Sequence, residues 1–193
     1  MLRLHGEQQM YVLELSSFQL ETTHSLQAAV SVVLNISEDH MDRYDSMSAY
    51  CAAKYRIFNH CQHCVINRDD ALTAPAITKG LPTSSFGLNA PVGNEFGVIV
   101  ANGEKFLAQG ETLLMPVRDM KIRGDHNVVN ALACLALGQV AGLPMPIMLE
   151  TLRNFAGLRH RCELVNEKDG IAWYNDSKGT NVGATLAAIN GLG

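Results

Sequence analysis

The chain has 193 residues, with 15 Lys plus Arg against 19 Asp plus Glu and a formal net charge of −4 at pH 7. Hydrophobic residues make up 47% and charged residues 18%, the balance of a soluble globular protein with room for one core and a fraction of another. The chain holds no Lys/Arg-rich run and no stretch of about 18 apolar residues, so neither a nucleic-acid partner nor a membrane span is expected.

Arg3, His5 and Glu7 interrupt the first ten residues, so no signal-peptide core is expected there. Residues 11–15 are a short apolar run that predicts a strand, with Glu14 one residue from its end. Residues 30–36, rich in β-branched side chains, predict a second strand. Ser46 is a plausible N-cap for a helix with Met47, Tyr50, Lys54, Ile57 and Phe58 on one face. Residues 64–67 predict a third strand. Apolar strands separated by helical stretches suggest an α/β fold, a mostly parallel sheet with helices on both faces.

From residue 83 to 117 the pattern changes to short strand-like runs with turn signals, which predicts a small antiparallel sheet. Asn102-Gly103 is the strongest hairpin signal and Gln109-Gly110 a weaker one. A helix is predicted from near Asp125 to near Gly142, with Pro144 as a stop, and another over residues 146–155. Residues 162–165 and 171–174 read as two strands turned by Asp169-Gly170. A polar loop over residues 175–181 then leads into a final helix.

The five cysteines, Cys51, Cys61, Cys64, Cys134 and Cys162, are odd in number and irregularly spaced. They make no disulfide framework, and a reducing, cytoplasmic setting is expected. Cys61-Gln62-His63-Cys64 has the look of half a zinc site, but no second such pair follows, which favours two small buried thiols.

Glu14 and the loop Ser37-Glu38-Asp39-His40-Met41-Asp42 both fall at predicted strand ends. In open parallel sheets ligands bind at the carboxyl ends of strands. A carboxylate and an acidic, His-containing loop there suit either Mg²⁺ with phosphate ligands or a solvated turn. Lys54 stands amid an apolar helix face; it either lays its stem along the core or presents a neutral amine able to take up carbon dioxide as a carbamate. Asn127 and Asn130, one helical turn apart beside His126, are either capping groups or a pair that reads a base edge. The polar run at residues 176–181 is either an anion-binding helix entrance or a capped loop.

Taken in order, these stretches resemble the Mur ligase family, and the D-glutamate-adding branch of it in particular. The resemblance rests on Glu14-Leu15-Ser16-Ser17-Phe18-Gln19-Leu20-Glu21, on residues 35–44 (Asn-Ile-Ser-Glu-Asp-His-Met-Asp-Arg-Tyr) and on Ala52-Ala53-Lys54. It continues through residues 124–131 (Gly-Asp-His-Asn-Val-Val-Asn-Ala), His160-Arg161 and residues 175–181. It implies the family's central ATPase domain over residues 1–157, lacking its phosphate-loop strand, and the truncated start of a Rossmann-like C-terminal domain over 158–193. It also implies chemistry: ATP phosphorylates the L-alanyl carboxylate of UDP-N-acetylmuramoyl-L-alanine, and the amine of D-glutamate attacks the acyl phosphate.

The same resemblance assigns roles. Glu14 and His40 would hold Mg²⁺, with two ions expected, and a carbamylated Lys54 would help place the second. Ser16 and Gln19 would lie beside the muramoyl substrate. Asn127 and Asn130 would approach the adenine, and Arg161 and Asp176 the ribose and hinge. Lys178 would face the γ-phosphate and Thr180 the D-glutamate. Lys54, His40 and Lys178 would be the catalytic set, in a monomer without nucleic-acid or membrane partners.

No Gly-Lys dipeptide occurs in the chain, so the phosphate-cradling loop is expected upstream of residue 1 in a longer protein, and these 193 residues alone are expected to be inactive. Gly179 departs from the family, where Ala is common, and a slightly looser loop is expected. Another amide ligase of the superfamily, including a different Mur ligase or a folylpolyglutamate synthase, or a non-catalytic nucleotide-binding module, are the alternative readings.

Overall fold

A computed structural model describes residues 10–75, 78–180 and 182–192. Strands β1 (Ser31–Val32), β2 (Cys64–Asn67), β3 (Thr83–Phe86), β4 (Phe96–Ala101), β5 (Glu104–Gln109) and β6 (Thr112–Pro116) form one six-stranded sheet in sequence order. β1 to β4 pair in parallel, and β4 to β6 form an antiparallel meander. The helices are α1 (Ser17–Glu21), α2 (Met47–Tyr55), α3 (Asp125–Val140), α4 (Met145–Asn154) and α5 (Val182–Leu192). β7 (Glu163–Lys168) and β8 (Ile171–Asn175) make a separate antiparallel pair.

The parallel strands are covered on both faces, and β2 shows why. Successive side chains of a strand point to opposite faces. Cys64 joins one buried cluster with Tyr50, Cys51, Ala53 and Phe58 around α2. Val65 joins the other, with Phe86, Phe96, Leu132 and Leu135 around α3. Ser46 caps α2 as expected, its hydroxyl accepting from the Ala49 N–H at 3.2 Å. α3 and α4 also form where predicted, α4 with Pro146 in its first turn.

Three expectations change. Residues 11–15 form no strand: a strand needs a ladder partner, this stretch pairs with none among the described residues, and Val12 is 92% exposed. The second predicted strand shrinks to Ser31–Val32. The predicted antiparallel region is present, with Asn102 (φ 52°) and Gly103 (φ 77°) turning β4 into β5, a left-handed pair that suits a type I′ hairpin. That meander is continuous with the parallel strands rather than a sheet of its own.

The junction is narrow. β3 and β4 share a single ladder pair, Phe86 with Phe96, so β4 starts where β3 ends. Arg68, just past β2, bridges this seam. Its guanidinium donates to Ser85 Oγ at 3.0 Å and to the Phe96 carbonyl at 3.1 Å, and lies 3.4 Å from Glu95 Oε2. Glu95 Oε1 accepts from Ser85 Oγ at 2.7 Å. Burial alone would raise the Glu95 carboxyl, but the Ser85 hydroxyl, the Val92 N–H and the Arg68 charge together hold it below the usual carboxylate range.

A depressed folded-state pKa stabilises above the unfolded pKa, and that contribution is lost as pH falls through the folded value. Glu95→Gln is therefore expected to flatten the acid limb of stability, read by urea unfolding between pH 7 and pH 3. Arg68→Ala is expected to cost about 2 kcal/mol at neutral pH, because it removes the charged donor shared by Ser85 and the Phe96 carbonyl and leaves Glu95 without its counter-charge, with only the Ser85 hydroxyl and the Val92 N–H as partners. Unchanged unfolding midpoints in both variants would remove this bridge from the account of the fold.

Candidate functional site

Three of the sequence stretches converge at the carboxyl end of the parallel strands. Ser16 caps α1, and its hydroxyl and backbone N–H pair with Gln19 in a capping box: the Ser16 N–H donates to Gln19 Oε1 at 2.9 Å and the Gln19 N–H to Ser16 Oγ at 3.3 Å. Both proposed substrate contacts thus already hold each other, while remaining solvent-exposed. The cap aims Phe18 at the loop after β1. There His40, at φ 56°, lies 4.9 Å from the Phe18 ring centroid.

Tyr50 lies between the two residues expected to do metal chemistry. Its ring meets the His40 ring edge-on at 6.4 Å, and Lys54 Nζ sits over it at 4.9 Å from the centroid. An ammonium over an aromatic face is an electrostatic contact that stabilises the charged head. Lys54 is half-buried near the end of α2. Tyr50 is legible in the sequence as an apolar helix-face residue one turn from Lys54, but not as a ring standing between Lys54 and His40. Arg43 closes the far side, paired with Glu21 at 2.7 Å and lying over the Phe18 ring.

Glu14 is exposed on the extended segment before the cap, and His40 keeps 45% of its side-chain surface. Among the described residues no three His, Cys, Asp or Glu side chains are preassembled around a cation. A carboxylate and an imidazole, both accessible, are a donor set for an ion that draws its other ligands from water and phosphate, which is how Mg²⁺ is commonly held. Cys61 and Cys64 are both buried, with their sulfurs 3.6 Å apart. Burial, then the neighbouring thiol, pushes Cys64 up to about 12.

The second group of candidates surrounds the start of α3. Asn127 Nδ2 donates to the Arg123 carbonyl at 2.7 Å and to His126 Nε2 at 3.0 Å. Its amide donors are thus used in closing the helix entrance, while Asn130 is exposed. Burial lowers the His126 pKa against the opposing pull of Asp176 and Asp125. That influence puts Asp176, from the end of the β7–β8 region, within electrostatic range of α3.

Asp176 in turn organises its own loop. Its Oδ1 accepts from the Cys162 N–H at 3.0 Å, and the Lys178 N–H donates to the His160 carbonyl at 3.0 Å. Asn175 Nδ2 meets His160 Nδ1 at 2.9 Å. Arg161, Lys178 and Thr180 present exposed side chains, and Thr180 and Gly179 border an open cavity of about 430 Å³ against α5. Asn181 lies outside the described residues. The structure gives Gly179 a sharper reason than looseness: a Cβ there would lie 2.5 Å from Asp176 Oδ2.

Burial first, then the Asp176 charge and its hydrogen bond, raise the Cys162 thiol. Asp176→Asn removes the charge, so Cys162 should form thiolate at lower pH and be alkylated faster at pH 8. Gly179→Ala should act in the same direction by displacing the carboxylate. Peptide-mapped iodoacetamide rates at Cys162 check both, and unchanged rates would contradict this reading of the loop.

Comparison with known proteins agrees with the motifs. Residues 1–138 match the Mur ligase middle domain. UDP-N-acetylmuramoylalanine--D-glutamate ligase of Pseudomonas savastanoi pv. phaseolicola is 58% identical over 190 residues, 98% of this chain and 42% of its own length. The protein of that name from Acinetobacter baylyi is 55% identical over 191 residues, again 98% of this chain and 43% of its own. The chain spans about two fifths of the length of these curated relatives. In fold it is similar to MurF from Acinetobacter baumannii, with a TM-score of 0.67 at 20% identity over 89% of this chain and 38% of that one. It is also similar to a pseudomurein peptide ligase type C from Methanothermus fervidus, with a TM-score of 0.64 at 19% identity over 86% of this chain and 40% of that one. With 138 of 193 residues matched by the middle-domain family and the same fold in both structures, the chain belongs to the Mur ligase family.

Proposed function

We propose that the chain is part of an ATP-dependent ligase that joins D-glutamate to UDP-N-acetylmuramoyl-L-alanine in peptidoglycan precursor synthesis. The observation that carries this reading is the convergence of Phe18, His40, Tyr50 and Lys54, which brings three separated stretches to one point at the carboxyl end of the sheet. The names of the relatives at 55–58% identity supply the amino acid and the acceptor. In the proposed reaction the γ-phosphoryl group of ATP passes to the alanyl carboxylate and ADP leaves. The D-glutamate amine then attacks the acyl carbon, and phosphate and a proton are released with formation of the amide.

The reaction gathers anions, and the residues present suit that problem. Glu14 and His40 would hold Mg²⁺, which when bound neutralises phosphate charge. Lys54, as a carbamate, would add a carboxylate-like ligand for a second ion, at the expense of its contact with the Tyr50 ring. Lys178 would meet the γ-phosphate, Asn127 and Asn130 the adenine, and Arg161 and Asp176 the ribose and hinge. Ser16 and Gln19 would border the muramoyl group and Thr180 the glutamate, beside its cavity.

The proposed division of labour follows the two sheets: a central ATP-binding domain through residue 157, and the start of a glutamate-ligase domain from residue 158, before β7 and β8. A cytoplasmic monomer is part of the proposal. Among the described residues no helix is long and apolar enough to cross a membrane.

In the full-length protein, phosphate release should require ATP, UDP-N-acetylmuramoyl-L-alanine and D-glutamate together, and the 193-residue chain alone should give none. Release with another amino acid in place of D-glutamate would redirect the reading to a different ligase of the superfamily. Lys54→Ala should slow release by about 100-fold. Native intact mass with and without bicarbonate at mildly alkaline pH should show one added CO₂ that Lys54→Ala abolishes; an unchanged mass would rule out the carbamate.

A further inference from the structure

We infer that Asn67 and Asp70, at the carboxyl end of β2, are positioning residues that fix the height of the His40 loop; the inference rests on the metal-binding reading of His40. The chain leaves β1 at Val32 and reaches His40 eight residues later with no further ladder pairing. Two side chains hold this stretch. Asn67 Nδ2 donates to the Leu34 carbonyl at 2.9 Å, and Asp70 Oδ2 accepts from the Ile36 N–H at 2.8 Å. Val33, just before the first bond, and Ile36, at the second, are buried, so the segment is gripped by its backbone and its side chains together.

Both grips are themselves fixed. Asn67 is 6% exposed, and its Oδ1 accepts from the Asp69 N–H at 2.9 Å. Its backbone N–H donates to Thr73 Oγ1 at 3.1 Å, and its carbonyl accepts from the same hydroxyl at 2.9 Å. Asp70 uses its second oxygen to accept from the Leu72 N–H at 3.0 Å. Neither side chain can turn away without breaking a bond in its own loop. Four residues after Ile36 comes His40, at a left-handed φ that a shifted loop would not keep. Residues that orient a metal ligand from behind typically change metal affinity by about 10-fold to 100-fold when altered.

Asp69 supplies the control. It sits in the same turn and makes bonds of the same kind, accepting from the Leu88 N–H at 2.6 Å and from Asn89 Nδ2 at 3.3 Å, but these lead to the other side of the sheet, away from His40. The test uses the full-length protein with a non-hydrolysable ATP analogue, titrated with Mn²⁺ and followed by the resonance of free Mn²⁺, alongside thermal unfolding. Asp70→Asn presents an amide donor to one of two N–H donors, and Asn67→Asp sets a carboxylate against the Leu34 carbonyl. Each is expected to weaken Mn²⁺ binding by about 10-fold. Asp69→Asn is expected to lower the unfolding temperature comparably and leave Mn²⁺ binding unchanged.

Wild-type Mn²⁺ affinity in Asp70→Asn, or equal weakening in Asp69→Asn, would overturn the inference. His40→Ala separates the two ideas: if it too leaves Mn²⁺ binding unchanged, the metal reading of His40 fails, and if it alone weakens binding, only the positioning role fails. Should Asp70→Asn not fold, Asp70→Glu, which keeps the charge and displaces it by one methylene, is read by the same criteria.

Discussion

The architecture depends on one turn, Asn67-Arg68-Asp69-Asp70, at the carboxyl end of the strand between β1 and β3. Its four side chains tie it to three parts of the molecule. Asn67 and Asp70 hold the segment leading to His40. Arg68 crosses the seam to Ser85, Glu95 and Phe96. Asp69 ties the loop at Leu88 and Asn89, and a Cβ on Gly87 would press against its carboxylate. Three of these four are charged residue types, and hydrogen bonds to charged groups contribute roughly 1.5–3 kcal/mol where neutral ones contribute about 1. The turn is therefore a concentrated source of order, placed where the backbone ladder is weakest.

The location of that weakness is geometric. β4 begins beside the last residue of β3, so the meander stands beyond the parallel strands and shares one ladder pair with them. A parallel neighbour normally requires a long crossover. Here the chain need not return, and the nine residues between Phe86 and Phe96 suffice. What the ladder does not supply, packing does: Phe86, Phe96, Val98 and Leu107 share one core with α3. The Lys105–Asp125 ion pair, with both side chains more than half exposed, adds little to this.

The sequence made the periodic parts legible and hid the turn. α2, α3, α4 and the hairpins at Asn102-Gly103 and Asp169-Gly170 announce themselves through caps, prolines and left-handed pairs, all local signals. Residues 11–15 carried the same apolar signature as a strand, yet a strand is a relation between two segments, and composition cannot report whether a ladder forms; among the described residues these form none. The turn at residues 67–70 was illegible for a related reason. Its bonds to Leu34 and Ile36 span 33 and 34 residues, and no spacing rule links an amide to a carbonyl that far away. Motif resemblance located Glu14, His40 and Lys54, but not the Tyr50 ring between His40 and Lys54, nor the side chains that fix the loop.

The two halves of the candidate site differ in how they are held. On the α2 side, His40 and Lys54 rest on the buried Tyr50, and the loop behind His40 is clamped from a turn whose Asn67 is almost fully enclosed. On the other side, β7 and β8 expose Leu164, Val165, Ile171 and Trp173, and they are held by their antiparallel ladder together with polar bonds among His160, Cys162, Asn175 and Asp176. Regions with few buried apolar contacts open at lower free energy than packed ones. Of the groups proposed to hold cations, His40 and Lys54 sit on the packed half, while Glu14 lies on the exposed segment before α1; those proposed to meet ribose, γ-phosphate and glutamate sit beside β7 and β8. His126, half-buried on α3 with the Asp176 charge acting on it, stands at the boundary between the two halves.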